Sequence, residues 1–301
     1  MSKFVKQHNY QEIMIDDVDE IYEIAKSYNE FYKLPRLGRG LPGDKHVYLR
    51  AFYRGQSDCK WEILPSILRK RNIEDNVTAT GSLLFEKLAY KQHYETGTRL
   101  IDFTLNIDVA LYFACNENMR RDGALFIWTY APCDPEWDRT VIQSELVKLK
   151  CEEITIENFV KKISQTYPEI RRKYDSETAL FIDLSSYMDH GFMVVQPQNP
   201  QINNLRIQRQ EGSLLICGVM FKEPIDRTSM GAQRNVFYPQ KVIVPHLLRE
   251  GETLVKIIIP AKKKIEILKM LEDKGITKEF LFPQEKYANN REIIGYWDVK
   301  K

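Results

Sequence analysis

Apolar positions recur along this chain in two periods. Val18, Ile21, Ile24, Ala25, Tyr28, Phe31 and Tyr32 fall at steps of three and four, the spacing of one helix face. Asp16 and Asp17 stand where acidic groups suit a helix start. Pro35 and the glycine-rich stretch Gly38–Gly43 end that helix. Residues 47–55 predict a strand delivered into a turn at Gly55, and Trp61–Arg69, with Pro65, a short helical piece. From Gly81 the pattern becomes helical through Leu83, Leu84, Leu88 and Tyr90, reaches His93 and Tyr94, and breaks at Gly97. Arg99–Thr104 is short and mixed, extended or loop-like. Ile107–Cys115 predicts an apolar helix capped by Asn106 or Thr104.

Gly123–Tyr130 predicts a buried strand, followed by a proline-bearing loop over Ala131–Asp138. Residues 155–175 read as a helix whose Arg171, Arg172 and Lys173 face solvent. Phe192–Gln196 reads as a strand before the loop Pro197–Pro200, and Leu205–Met220 as a strand broken at Gly212 by a bulge or hairpin turn. Val242–Leu248 and Leu254–Pro260 are further strands, and Lys262–Gly275 a helix stopped by its glycine. Strands and helices interleave without the regular alternation of a doubly wound fold. The expectation is α+β, with central mixed or antiparallel sheets and packed helices. Residues 1–45 form a helical extension and tether, and residues 46–301 one domain.

Composition narrows this picture a little. At 301 residues and 43% hydrophobic, the chain can fill a substantial core. Its longest apolar runs fall far short of the roughly 20 residues a membrane-spanning helix needs, and its start shows no apolar signal core. The five cysteines, 59, 115, 133, 151 and 217, lack metal-ligand spacing and suit a reducing, cytoplasmic setting. A formal charge of +2 gives nucleic acid no particular invitation. The runs Arg69–Arg71 and Lys262–Lys264 read as solvated helix faces, which makes a nucleic-acid module the minority reading.

Three polar groups could carry chemistry. Arg54 ends an apolar strand; its donor fork suits a phosphate or carboxylate, and Gly55 would let a ligand approach the backbone. Residue type alone favours a salt bridge at a strand end. The second group, His93, Tyr94, Thr98, Arg99, Asp102 and Thr104, sits between two apolar helices. A buried Arg99–Asp102 pair would fix that loop, and His93 could be a base, a ligand contact or a structural histidine. The third is Arg206–Gly212. As a strand it would turn Arg206, Gln208 and Gln210 one way and Arg209 and Glu211 the other; an edge strand explains the run equally. Walker A, HExxH and Gly-x-Ser-x-Gly patterns do not occur, and no metal set is visible.

Taken together, Phe52-Tyr-Arg-Gly-Gln-Ser, Trp61–Arg69, Gln92-His-Tyr through Thr104, Asn106–Cys115, Arg206 with Gln210 and Gly212, and Gly275–Pro283 resemble the FRG domain family over about residues 47–285. Glu95 and Phe103 stand where the family usually has glycine and tryptophan. A more distant likeness, of pattern and order, is to mono-ADP-ribosyltransferases of the arginine–serine–glutamate type. It implies an ADP-ribosyltransferase-like core that binds NAD and cleaves the nicotinamide–ribose bond, in a toxin or antiphage defence effector with a macromolecular acceptor. Arg54, His93, Thr104, Gln210 and Glu211 would then be catalytic, and Arg54, Gly55, Tyr94, Arg99, Thr104 and Gln208 would bind NAD or a related nucleotide. A glutamine at position 210 is a weaker stabiliser of positive charge than a glutamate. That leaves a non-catalytic nucleotide or protein recognition module as the alternative.

Overall fold

The computed structural model describes residues 11–31, 35–36, 47–48, 50–70, 79–94, 97–130, 132–195, 205–244 and 253–283. Along the chain run β1 (Gln11–Met14), α1 (Asp19–Phe31), the two-residue strands β2 (Pro35–Arg36) and β3 (Val47–Tyr48), β4 (Arg50–Gln56), α2 (Ser66–Lys70) and α3 (Ser82–Tyr94). Then come β5 (Leu100–Thr104), α4 (Ile107–Cys115), β6 (Gly123–Tyr130), α5 (Asp138–Glu145), β7 (Ile154–Thr155), α6 (Ile156–Thr166), α7 (Pro168–Arg172) and α8 (Glu177–Tyr187). The last third holds β8 (Phe192–Val195), α9 (Leu205–Arg209), β9 (Gly212–Ile216), β10 (Gly218–Phe221), β11 (Val236–Ile243), β12 (Thr253–Ile259), α10 (Lys264–Asp273) and α11 (Lys278–Leu281).

Seven strands make the main sheet in the order β1-β12-β6-β4-β5-β9-β8. Its pairs are antiparallel except β1 with β12, and a small second sheet joins β10, β11 and β7. This is the α+β architecture with mixed sheets and packed helices that the pattern implied. Alternation along β4 divides its side chains between two cores. Phe52 joins Trp128, Phe103 and the side chains of α3, α5, α6 and α8 on one side. Ala51 and Tyr53 join α1, α4 and α10 on the other. Among the described residues no helix is long and apolar enough to cross a membrane.

Helix α4 lies against β4 and β6 almost backbone to backbone. A Cβ on Gly55 would stand 1.8 Å from the Ala110 carbonyl oxygen, and one on Gly123 2.4 Å from that of Ala114. Glycine on the strands, with Ala110 and Ala114 on the helix, is what allows the approach. Asn106 caps the helix, its side chain accepting from the Asp108 amide at 2.9 Å.

Several elements differ from the pattern reading. Residues 205–209 are helical rather than extended: Leu205 and Ile207, two apart, suggest a strand, but five residues carry too little periodicity to decide. Ile207 instead folds back over Gly212, where a Cβ would meet its Cγ2 at 3.2 Å. The helix read over 155–175 breaks at Tyr167–Pro168, because proline supplies no amide for a continuing helix. Arg99–Thr104 resolves into a strand from Leu100. Lys264 is buried, not solvated; its ammonium donates to the carbonyls of Ser57, Glu117 and Asn118 at 2.7, 3.0 and 3.3 Å. The five cysteines are free, with Cys115, Cys133 and Cys217 buried, and burial pushes the Cys115 thiol up to about 12. The expected glycine stretch 38–43, the loop 197–200 and the strand end 245–248 lie outside the described residues.

Gly55→Ala should destabilise the protein by at least about 3 kcal/mol, the upper range for overpacking. Gly81→Ala, at a left-handed φ of 61° with open space around it, should cost about 1–2 kcal/mol. Urea unfolding checks both; equal small losses would show that α4 has room to move.

Candidate functional site

Between β4 and β5 the sheet opens. The two strands share one residue pair, Tyr53 with Thr104, whereas β4 pairs with β6 over seven residues, from Arg50 to Gln56. The Arg54 side chain fills part of the gap that the backbone ladder leaves. Its Nη1 donates to the main-chain oxygen of Asp102 at 2.6 Å. Burial holds the guanidinium below its usual pKa, Asp102 opposes that shift, and the nearby charge of Arg69, on α2, adds to it. Arg54 as a whole is half-buried and Arg69 exposed; an anion near the guanidinium would offset the cost of its burial.

The carboxylate of Asp102 is held from the α3 side. Gln92 Nε2 donates to its Oδ2 at 2.9 Å. The Gln92 carbonyl in turn accepts from Thr98 Oγ1 and, at 3.2 Å, from Ser66 Oγ. Ser66 Oγ also accepts from the Gly97 and Thr98 amides at 3.2 and 3.1 Å. Among the described residues, nothing hydrogen-bonds the buried Arg54 Nε or the buried Asp102 Oδ1. Two other buried oxygens nearby in the sheet are likewise without a partner, Gln56 Oε1 on β4 and Ser213 Oγ, opposite Phe103 on β9. Buried polar groups are nearly always paired; these four stand on β4, β5 and β9, and further unpaired buried atoms stand on β6, α5, α6 and α8.

A second group forms where β5 passes into α4. Thr104 Oγ1 donates to the Gln210 carbonyl at 2.6 Å and accepts from the Asn106 amide at 3.0 Å. The Gln210 side chain is buried and turned toward α11, donating to the Leu281 carbonyl at 3.1 Å. Glu211 is exposed at a left-handed φ of 44°. Its main-chain oxygen accepts from the Leu105 amide at 3.0 Å and its carboxylate from Asn106 Nδ2 at 2.7 Å. A non-glycine residue in that conformation is strained, and such strain concentrates at functional positions.

The expected residues thus fall into separate places. Arg54 lies on the β4 face shared with Phe52, whereas Thr104, paired with Tyr53, turns to the α4 side and meets Gln210 and Glu211 there. Gly55 faces α4, whose backbone fills the room its hydrogen leaves. Arg99 is fully buried and donates to the Pro239 carbonyl at 3.2 Å, so Arg99 and Asp102 have different partners instead of pairing. Gln208 sits on α9, half-buried, and the strand face that would have aligned it with Gln210 does not exist. His93 and Tyr94 end α3, and their side chains lie outside the described residues. Sequence reasoning missed Ser66, Arg69 and Gln92 as members of the polar cluster. The signal was there in the polar density between two apolar helices, but nothing in it says which side chains meet.

A family model described as the FRG domain matches residues 71–123. That span takes in α3, β5 and α4 and ends at the first residue of β6; Arg54 lies before it and Glu211 after it. Neither the curated proteins nor the solved structures compared with the chain gave a match.

Gln92→Leu would leave Asp102, Thr98 and Ser66 without their shared partner. The expected cost is about 2–3 kcal/mol of unfolding free energy, the desolvation of buried groups left unpaired. Chemical denaturation of both proteins measures it, and an unchanged midpoint would show that the cluster adds nothing to the fold.

Proposed function

We propose that this chain, whose residues 71–123 belong to the FRG domain family, binds NAD in the opening between β4 and β5 and cleaves its nicotinamide–ribose bond. The observation that carries the reading is the half-buried Arg54, whose Nε is enclosed and unpaired, with the exposed Arg69 within electrostatic range. Such a pair of cations suits the pyrophosphate of a dinucleotide. The likeness to arginine–serine–glutamate transferases supplies the rest: an arginine strand, then a strand ending in Thr104 and leading into an alanine-rich helix, then an acidic position before a later strand.

As the bond to nicotinamide breaks, positive charge grows on the ribose, and a fixed carboxylate nearby lowers that barrier. Of the two, Glu211 rather than Gln210 is free for this part, and because it stands on the opposite side of the sheet from Arg54 the bound nucleotide would have to reach past the end of β5 to meet it. The Gln210 amide is engaged by Leu281, whereas Glu211 is exposed, strained and oriented by Asn106. Nicotinamide leaves with the bonding electrons; the acceptor, water or a macromolecular nucleophile, gives up a proton as it adds to the ribose carbon.

A second reading has its own support. Both hydrogen-bonding directions of the Thr104 hydroxyl are already taken, and that hydroxyl sits on the α4 side rather than beside Arg54. A site in which Arg54 and Glu211 do not meet would bind a nucleotide without turning it over, as a recognition module.

Nicotinamide release from NAD, with and without a cell lysate, separates the two readings. Arg54→Ala and Glu211→Gln should each lower the rate by at least about a hundredfold, the scale of removing one electrostatic stabiliser. Gln210→Ala should retain most of it. No release from folded wild-type protein would leave the recognition module, and release indifferent to Glu211→Gln would take the catalytic part away from Glu211.

A further inference from the structure

The Asp102 carboxylate sits within electrostatic reach of Arg54, yet the two do not form a salt bridge. The guanidinium takes the main-chain oxygen of Asp102 at 2.6 Å, Gln92 takes Oδ2 at 2.9 Å, and Oδ1 is left buried and without a partner. A donor, Arg54 Nε, and an acceptor, Asp102 Oδ1, are thus both buried and unanswered, within electrostatic reach of each other. A phosphate alone does not answer this pair, because it brings no hydrogen to donate and would meet the carboxylate as a like charge. The group that meets Oδ1 must be a donor and not an anion.

In a nucleotide the group joined directly to phosphate is a ribose, whose hydroxyls both donate and accept. A carboxylate receiving a ribose hydroxyl is the arrangement by which dinucleotide folds of another architecture hold the same sugar. We propose that Asp102 Oδ1 accepts a hydrogen bond from a ribose hydroxyl of the bound nucleotide while Arg54 holds the adjoining phosphate. This makes Asp102 a specificity-determining residue that selects ribose over deoxyribose. It deepens the NAD reading and rests on it. Gln92, fixed by Thr98 and Ser66, keeps the carboxylate turned so that Oδ1 is the free oxygen.

Calorimetric titration tests this with NAD, with analogues lacking a hydroxyl on the nicotinamide-side or the adenine-side ribose, and with the dinucleotide whose carboxamide is replaced by a carboxylate. One hydrogen bond to a charged group corresponds to at least about a tenfold change in affinity. Wild-type protein should lose that factor with at least one deoxygenated analogue. Asp102→Asn, which keeps a carbonyl for Gln92, should lose it on NAD and bind that analogue as wild type does. The wild-type analogue series needs no variant and decides the matter even if Asp102→Asn fails to fold. Equal wild-type binding of NAD and every deoxygenated analogue would overturn the assignment while leaving the NAD reading in place. Loss only with the carboxylate-bearing dinucleotide would give Oδ1 to the carboxamide instead and also overturn it. No binding of NAD at all would overturn the NAD reading itself.

Discussion

The close approach of α4 to the sheet sets the frame for everything else. With Gly55 on β4 and Gly123 on β6, the helix backbone comes within a distance at which no Cβ fits. That contact fixes β4 against β6, with which it pairs along its length. It also orients β4 rotationally: because Gly55 and Tyr53 must face α4, Arg54 must face the other way. The same helix begins at Asn106, so its capping residue is held beside the end of β5 and reaches Glu211. One packing constraint thus positions the arginine on one side of the sheet and the acidic turn on the other.

The sheet is tight on the β6 side of β4 and open on the β5 side, where the polar side chains of Arg54 and Gln92 reach Asp102. There a guanidinium substitutes for a missing run of ladder hydrogen bonds. A chain of Ser66, Thr98 and Gln92 holds one oxygen of Asp102 and leaves the other. Packing this many polar groups between apolar helices is expensive unless each is paired. Among the described residues, Arg54 Nε, Gln56 Oε1, Asp102 Oδ1 and Ser213 Oγ stay unpaired on β4, β5 and β9, with other such atoms on β6, α5, α6 and α8. The α+β fold by itself implies no reaction; the functional reading rests on these side chains.

How much of this the sequence reveals depends on how local each feature is. The apolar helix behind Asn106, the buried strand Gly123–Tyr130 and the helix stopped by Gly275 follow from periodicity and capping, which are properties of neighbouring residues. Arg54 stands out because a charged residue followed by glycine ends an apolar run. The helix at Leu205–Arg209 is not legible, since five residues do not distinguish a period of two from one of 3.6 and the outcome depends on Ile207 packing over Gly212. Lys264 reads as surface because three carbonyls from Ser57, Glu117 and Asn118 receive it, and they come from distant parts of the chain. The separation of Thr104 from Arg54 is also invisible in sequence. Motif order places both on neighbouring strands, but only strand register assigns them to different faces.

The central claim is that the half-buried Arg54, with its Nε enclosed, anchors a nucleotide between β4 and β5. Calorimetric titration of NAD into wild-type protein and into Arg54→Ala, with far-ultraviolet circular dichroism to verify that both are folded, tests it most directly. The account predicts saturable binding to the wild type and at least about a tenfold loss in the variant, as for removal of a charge-assisted contact. Equal affinity in the two proteins would contradict it, as would a folded wild type that takes up no NAD.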